Sequence, residues 1–215
     1  MKTPDENDIV GERMRRLGWA GGFLAFVLAV TMGFSLWRSS ERREVEQLPV
    51  LRAVPDFRLT DQDGHEVTNE SLRGKIWIAD FIFTRCQGPC PVMTSRMIEM
   101  QKALIKAPQV KLVSVSVDPE HDTPEVLKAY AEQNHADPAR WTFLTGDAES
   151  IKKLVTEGFM QPLARGDDGN PVHGSMFLVV DGQGMVRSAQ MLEDPELIPK
   201  ILMDTGNLLR EQGKR

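Results

Sequence analysis

"KIWIADFIFTRCQGPCP", residues 75–91, passes from one physical regime to another within seventeen residues. Its first half is a nearly unbroken run of apolar, β-branched and aromatic side chains, the pattern of a strand covered on both faces rather than one. Its second half holds both cysteines of the chain, Cys86 and Cys90, with prolines at 89 and 91. The residue before a proline is pushed out of the α region, so Cys90 is expected to cap a helix whose first position is Pro91. Unpaired N–H groups at such a start favour a thiolate over a thiol. A buried strand that hands the chain to a helix at one sheet edge is where α/β folds place their sites.

The rest of the chain supplies partners for that strand. "DFRLTDQDGHEV" alternates around Asp63-Gly64 and reads as a hairpin. A helix is expected over residues 91–106, with Pro108 beyond its end, before a second buried strand in "VKLVSVSVD". "TPEVLKAYAEQ" has Thr123 as cap, Pro124 at the first helical position and Glu125 in the first turn. "WTFLT" is a short strand and "DAESIKKLVTEG" a capped helix ending at Gly158. "SMFLVVDGQGMVRSAQ" is a hairpin turning at "DGQG", and residues 194–213 close the chain as a helix. Strands alternating with helices predict an α/β fold, a central sheet with helices on both faces.

At 215 residues, 41% hydrophobic and 27% charged, the chain suffices for one medium domain plus accessories. Cys86–Cys90 as a structural staple would close only a tiny loop and remove little unfolded-state entropy. Residues 18–37, "GWAGGFLAFVLAVTMGFSLW", contain no charge and have tryptophan near one end and at the other. Twenty helical residues span about 30 Å, the thickness of a hydrocarbon core. No A-x-A-like site follows, so an uncleaved transmembrane anchor is expected. The chain then divides into a tail (1–17), the anchor (18–37), a polar juxtamembrane linker (38–52) and a domain (53–215). Three arginines flank each side of the span, which leaves its orientation undecided by charge. From Arg38 onward there are 22 basic and 27 acidic residues, a balance unsuited to neutralising phosphates, so nucleic acid is not an expected partner.

For the cysteine pair, redox and metal chemistry stay open on the residues alone. Soft thiolates select Cu(I), zinc or iron–sulfur clusters. Clusters and structural zinc normally need four ligands, whereas Cu(I) accepts two or three. A histidine is therefore the residue to seek. His65 follows a turn, His121 lies in "DPEHDTP" after a strand, and His135 ends a helix. His173, in "NPVHGSMFLVV", precedes a buried strand and so falls at the sheet edge. Asp118 and Asp122 are candidates for orienting a ligand or shaping a partner surface, or else for turn formation with Pro119 and capping near Thr123. Met93, Met97 and Met100 share a helix face and read as core, as does Met176.

"FTRCQGPCP", "SVSVDPEHDTPEVLKAYAEQ" and "VHGSMFLVVDGQG", in that order, resemble the Sco/SenC family from about Pro55 to the C-terminus. The resemblance implies a thioredoxin-like domain behind a membrane anchor, and a copper metallochaperone that assists assembly of the binuclear copper site of cytochrome c oxidase. It assigns Cys86, Cys90 and His173 as copper ligands, for Cu(I) and, with an added weak ligand, Cu(II). Partners would be the copper-site subunit of the oxidase and other copper chaperones. The alternative is a thiol:disulfide oxidoreductase, with Cys86 and Cys90 as the redox-active pair, acting on the cysteines of that subunit or of another chaperone. Gln87 and Gly88 stand where family members often carry proline and an acidic residue. A thiol peroxidase on the same fold would carry T-x-x-C, where this chain has T-x-C. A cycling thiol pair beyond an N-terminal anchor fits an oxidising compartment. With no Arg-rich transit peptide, the expected location is a bacterial inner membrane, single-pass, with the C-terminal domain periplasmic.

Overall fold

The computed structural model describes residues 27–33, 47–167 and 169–213. Residues 27–33 are helical and exposed. The rest of the apolar stretch 18–37 lies outside the described residues, and no helix among the described residues is long and apolar enough to cross a membrane. Residues from Gln47 onward form one compact unit.

The strand read from "KIWIADFIF" is β4 (Ile76–Ile82), and every one of its seven residues is buried. It can be buried on both faces because it is central. It runs parallel to β5 (Val110–Ser116) on one side and antiparallel to β9 (Met176–Val180) on the other. Beyond β5, β6 (Trp141–Thr145) is also parallel. The hairpin of β2 (Arg58–Asp61) and β3 (Glu66–Thr68) closes that edge, and Gly64 in its turn has φ +82°, a conformation glycine adopts without steric cost. On the other side β10 (Met185–Met191) pairs with β9 and with β1 (Arg52–Ala53). The eight-stranded order is β1-β10-β9-β4-β5-β6-β2-β3.

Alternation along β4 decides what each face meets. Trp77 and Phe81 pack edge-on against Phe159, at 5.9 and 5.3 Å between ring centroids. Phe159 follows α4 (Ala148–Lys153) and a π-helical turn, Leu154–Gly158. Asp80 points to the opposite face, where Ser114 Oγ donates to it and Trp141 Nε1 donates to Ser114. Trp141 stacks on Phe143, which meets Tyr130 of α3 (Pro124–Gln133). Helical segments therefore cover both faces of the sheet, as expected. Each large side chain removed from water here is worth about 1.5–3 kcal/mol. A four-residue α1 (Asn69–Leu72) follows β3, and α2 (Cys90–Ala103) follows β4. α5 (Leu197–Gln212) packs on α2 and on β4, β9 and β10.

The segment before Ala53 already belongs to this unit. Arg187, buried, donates to Asp181 at 2.8 Å, to Glu211 at 3.1 Å and to the Leu48 carbonyl at 2.6 Å. Residues 47–52, read from composition as the end of a linker, are thus held by side-chain-to-backbone bonds that a polar composition does not reveal.

Candidate functional site

The chain leaves β4 at Ile82 and enters α2 at Cys90, and the loop between them is tied down from below. Asp122 accepts from Thr84 N at 3.1 Å, from Thr84 Oγ1 at 2.6 Å and from Ser116 Oγ at 2.5 Å. Arg85 Nε donates to Asp118 Oδ2 at 2.7 Å, and His121 Nδ1 lies 3.2 Å from Asp118 Oδ1. Burial pushes the Asp118 carboxyl upward, but the Arg85 and His121 hydrogen bonds outweigh it and hold it below the ordinary carboxylate value. Both aspartates thus fasten the cysteine loop to the β5–α3 connection, and the cap of α3 is Thr123.

Cys90 is the first residue of α2, not its cap: the Pro89 carbonyl accepts from Met93 N at 3.0 Å, and Pro89 sits in the α region at φ −73°. The ring of Pro89 presets a helical φ, and Pro91 costs no hydrogen bond within the first turn, so the helix starts one residue early. The expectation of a thiolate at this helix start is also corrected. Cys90 is 1% exposed. Burial pushes its thiol well above the ordinary value, and its contact with Cys86 pushes the same way. Cys86 is half-buried, and both cysteines are free thiols. Gly88 N donates to Cys86 Sγ at 3.4 Å.

His173 arrives on a short hairpin that lies ahead of β9. A two-stranded hairpin, β7 (Leu163–Arg165) with β8 (Pro171–His173), pairs Leu163 with His173. The "GDDGN" cluster at 166–170 was its turn signal. Three-residue strands are too short to show a period, which is why it was missed. The imidazole Nε2 lies 3.7 Å from Cys90 Sγ. Nδ1 lies 3.0 Å from the Gly174 carbonyl, which can only accept, so Nδ1 carries the proton and Nε2 presents its lone pair to the sulfur. Phe83 packs edge-on against the ring at 6.1 Å. Burial holds the His173 pKa below its ordinary value, opposed in part by the Gly174 carbonyl, so the ring is neutral at pH 7.

The structure therefore brings Cys86, Cys90 and His173 to one place. An open cavity of about 460 Å³ is lined by Cys86 and His173, with Arg85, Pro89 and Val172 in its wall. Two thiols and a neutral imidazole with an aimed lone pair are a donor set for a soft metal ion. Gln161 is a contributor that sequence did not suggest. It is buried, donates to the Phe159 carbonyl at 3.2 Å and to Met176 Sδ at 3.0 Å, and presses its Oε1 beneath Gly174. Met93, Met97 and Met100 are fully buried core, as read. His65 is exposed in its turn beside Asp61 and Asp63, where Asp61 accepts from the turn backbone and Lys128 pairs with Asp63 at 2.9 Å. His135 is exposed just past α3, at φ 53°.

Comparison with known proteins gives the same direction. The family model described as SCO1/SenC matches residues 46–205. The SCO1 protein homolog of Bacillus subtilis (strain 168) is 40% identical over 143 residues, covering 64% of this chain and 73% of that protein. Among solved structures, BsSco, a member of the Sco family of cytochrome c oxidase assembly proteins in which a disulfide switch was identified, is 33% identical. Its TM-score is 0.68, over 76% of this chain and 98% of that one. Bradyrhizobium japonicum ScoI with copper bound is 29% identical with a TM-score of 0.60, over 74% of this chain and 99% of that one. The family match extends over most of the compact unit and includes both cysteines and the histidine that the fold brings together, and the chain belongs to the SCO1/SenC family.

Proposed function

We propose that this chain is a membrane-tethered copper carrier that holds the ion as cargo between the Cys86 and Cys90 thiolates and His173 Nε2, and passes it on during assembly of the binuclear copper site of cytochrome c oxidase. The observation that carries this reading is the approach of His173 Nε2 to within 3.7 Å of Cys90 Sγ, with the other ring nitrogen fixed on a carbonyl. The relatives reported above support it, one by copper bound in its structure and one by its part in oxidase assembly. Cu(I) suits the three donors, and Cu(II) would be held with an added weak ligand. The apolar stretch 18–37 would anchor the domain on the outer side of a bacterial inner membrane. An alkaline phosphatase fusion after Arg215 should be active, and an inactive one would reverse that topology.

The direct test is anaerobic Cu(I) titration of the full chain in detergent against a competing chelator. One Cu(I) per chain is expected, lost in Cys86→Ser and in Cys90→Ser. In His173→Ala retention should weaken by about tenfold or more. Unchanged retention in His173→Ala would remove the carrier reading. Because both thiols must lose protons, and burial disfavours this at Cys90, retention should strengthen as pH rises.

A second reading, thiol:disulfide exchange, is favoured by the asymmetry of the pair: Cys86 is accessible to a partner sulfur and Cys90 is sealed behind it. His173→Ala separates the two, since exchange should survive a change that weakens copper retention.

A further inference from the structure

Arg85 is placed where it can choose what reacts at Cys86. Its Nε is engaged by Asp118, whose side chain is fully sealed from solvent, while the Arg85 side chain is 41% exposed and forms part of the cavity wall. The pair is thus a dipole with its negative end inside the protein and its positive end toward the cavity. His121 Nδ1 lies 3.2 Å from the other oxygen of the same aspartate, and the nearby Glu120 is engaged by Arg165 at 3.4 Å. Apart from Arg85, the Cys86 thiol and the His173 imidazole, the described residues lining the cavity are uncharged side chains. The molecule as a whole carries −5, so its long-range field repels anions, and any preference for them at this mouth must be local.

We infer that Arg85 is a specificity-determining residue that favours thiols bearing a carboxylate beside their sulfur in exchange with the Cys86–Cys90 pair. The inference rests on the exchange reading of the site. In the step it acts on, an incoming thiolate attacks Cys86 Sγ of the oxidised pair, the accessible sulfur. A new sulfur–sulfur bond forms there as the Cys86–Cys90 bond breaks. The electron pair goes to Cys90 Sγ, which takes a proton from water. A second thiolate then attacks the reagent's sulfur in the mixed disulfide and releases Cys86. Two thiols have been oxidised to one small disulfide, and the protein disulfide reduced to two thiols.

The test uses the full chain in detergent, oxidised with diamide and then reduced by mercaptoacetate, mercaptoethanol or cysteamine at equal thiolate concentration and low salt. Each rate is divided by that reagent's rate with bis(2-hydroxyethyl) disulfide, which removes intrinsic nucleophilicity. A bare unit charge about 6 Å away in water would change each rate by at most a factor of about three, and Asp118 cancels part of the Arg85 field, so mercaptoacetate should exceed cysteamine by a few-fold. At 1 M KCl the Debye length is about 3 Å and the ratio should collapse in the unaltered protein. Arg85→Gln should bring the ratio to one or below, and Arg85→Lys should keep most of it. A ratio at or below one in the unaltered protein, or the same ratio in Arg85→Gln, would overturn the inference. Diamide leaving two titratable thiols would instead remove the exchange reading beneath it. Repeating the ratio with the peptides Asp-Cys-Asp and Lys-Cys-Lys tells the sources apart. Discrimination among peptides assigns Arg85 to cysteines of a protein partner, discrimination confined to small reagents assigns it to a soluble acidic thiol, and a flat result in both sets overturns it.

Discussion

Gly174 has no room for a side chain. A methyl group there would overlap Gln161 Oε1 and stand 3.4 Å from Pro162 Cδ. Gln161 cannot swing aside freely, because its amide nitrogen is held by the Phe159 carbonyl and Met176 Sδ. The Gly174 carbonyl also fixes the His173 tautomer. Gly174→Ala should therefore displace the ring and cost about 1–3 kcal/mol in urea unfolding, while weakening Cu(I) retention in chelator competition. Adding Gln161→Ala should recover part of the retention, and no recovery would mean that the glycine acts some other way. The chemistry-bearing residues were legible because cysteine and histidine are rare in this chain and stood beside strand and helix signals. Gln161 and Gly174 were not, since their meeting depends on how closely two segments approach, which no spacing encodes.

The cysteine loop is held by the β5–α3 connection, and Asp122 is the fastening. Its carboxylate accepts three donors, two of them from Thr84. Asp122→Ala would strand the buried Ser116 hydroxyl and the half-buried Thr84 donors, at about 1–3 kcal/mol for each one left unsatisfied away from water. The expected result is a lower midpoint in urea unfolding together with faster hydrogen exchange at the Thr84 amide. An unchanged exchange rate there would show that the loop is held by something else. What sequence disclosed among these elements follows from the strength of local signals. β4 was legible from its unbroken apolar run, the β2–β3 hairpin from Asp63-Gly64, and α3 from Thr123, whose side chain accepts from Val126 N at 3.4 Å. The start of α2 was misplaced by one residue because the preference imposed by Pro91 on its predecessor was weighed without the preset φ of Pro89. Asp118 and Asp122 lay in a recognisable turn, but their partners Thr84 and Arg85 are more than thirty residues away in sequence.

Stability of the domain as a function of pH should carry the mark of one carboxyl in its centre. Asp80 is fully buried on β4, with Ser114 donating to Oδ1 at 2.5 Å and Oδ2 without a partner among the described residues. Burial pushes its pKa from 3.8 up to about 7, against the opposing pull of the Ser114 hydrogen bond. A folded-state pKa above the unfolded value means that the folded protein binds the extra proton. Its contribution to stability is fully present below about pH 4 and is lost as pH rises to about 7. Asp118, with its pKa lowered, works in the opposite sense and costs stability only as pH falls below the ordinary carboxylate range. Between about pH 4 and 7 the difference in unfolding free energy between Asp80→Asn and the unaltered protein should grow in favour of the variant, with a slope approaching about 1.4 kcal/mol per pH unit, and level off above pH 7. The slope is the readout, because the amide changes the absolute stability by other routes. Urea unfolding across that range measures it. A difference that stays constant from pH 4 to 7 would mean that water or a proton donor reaches Oδ2 and that the carboxyl ionises in the folded domain as it does in the unfolded chain.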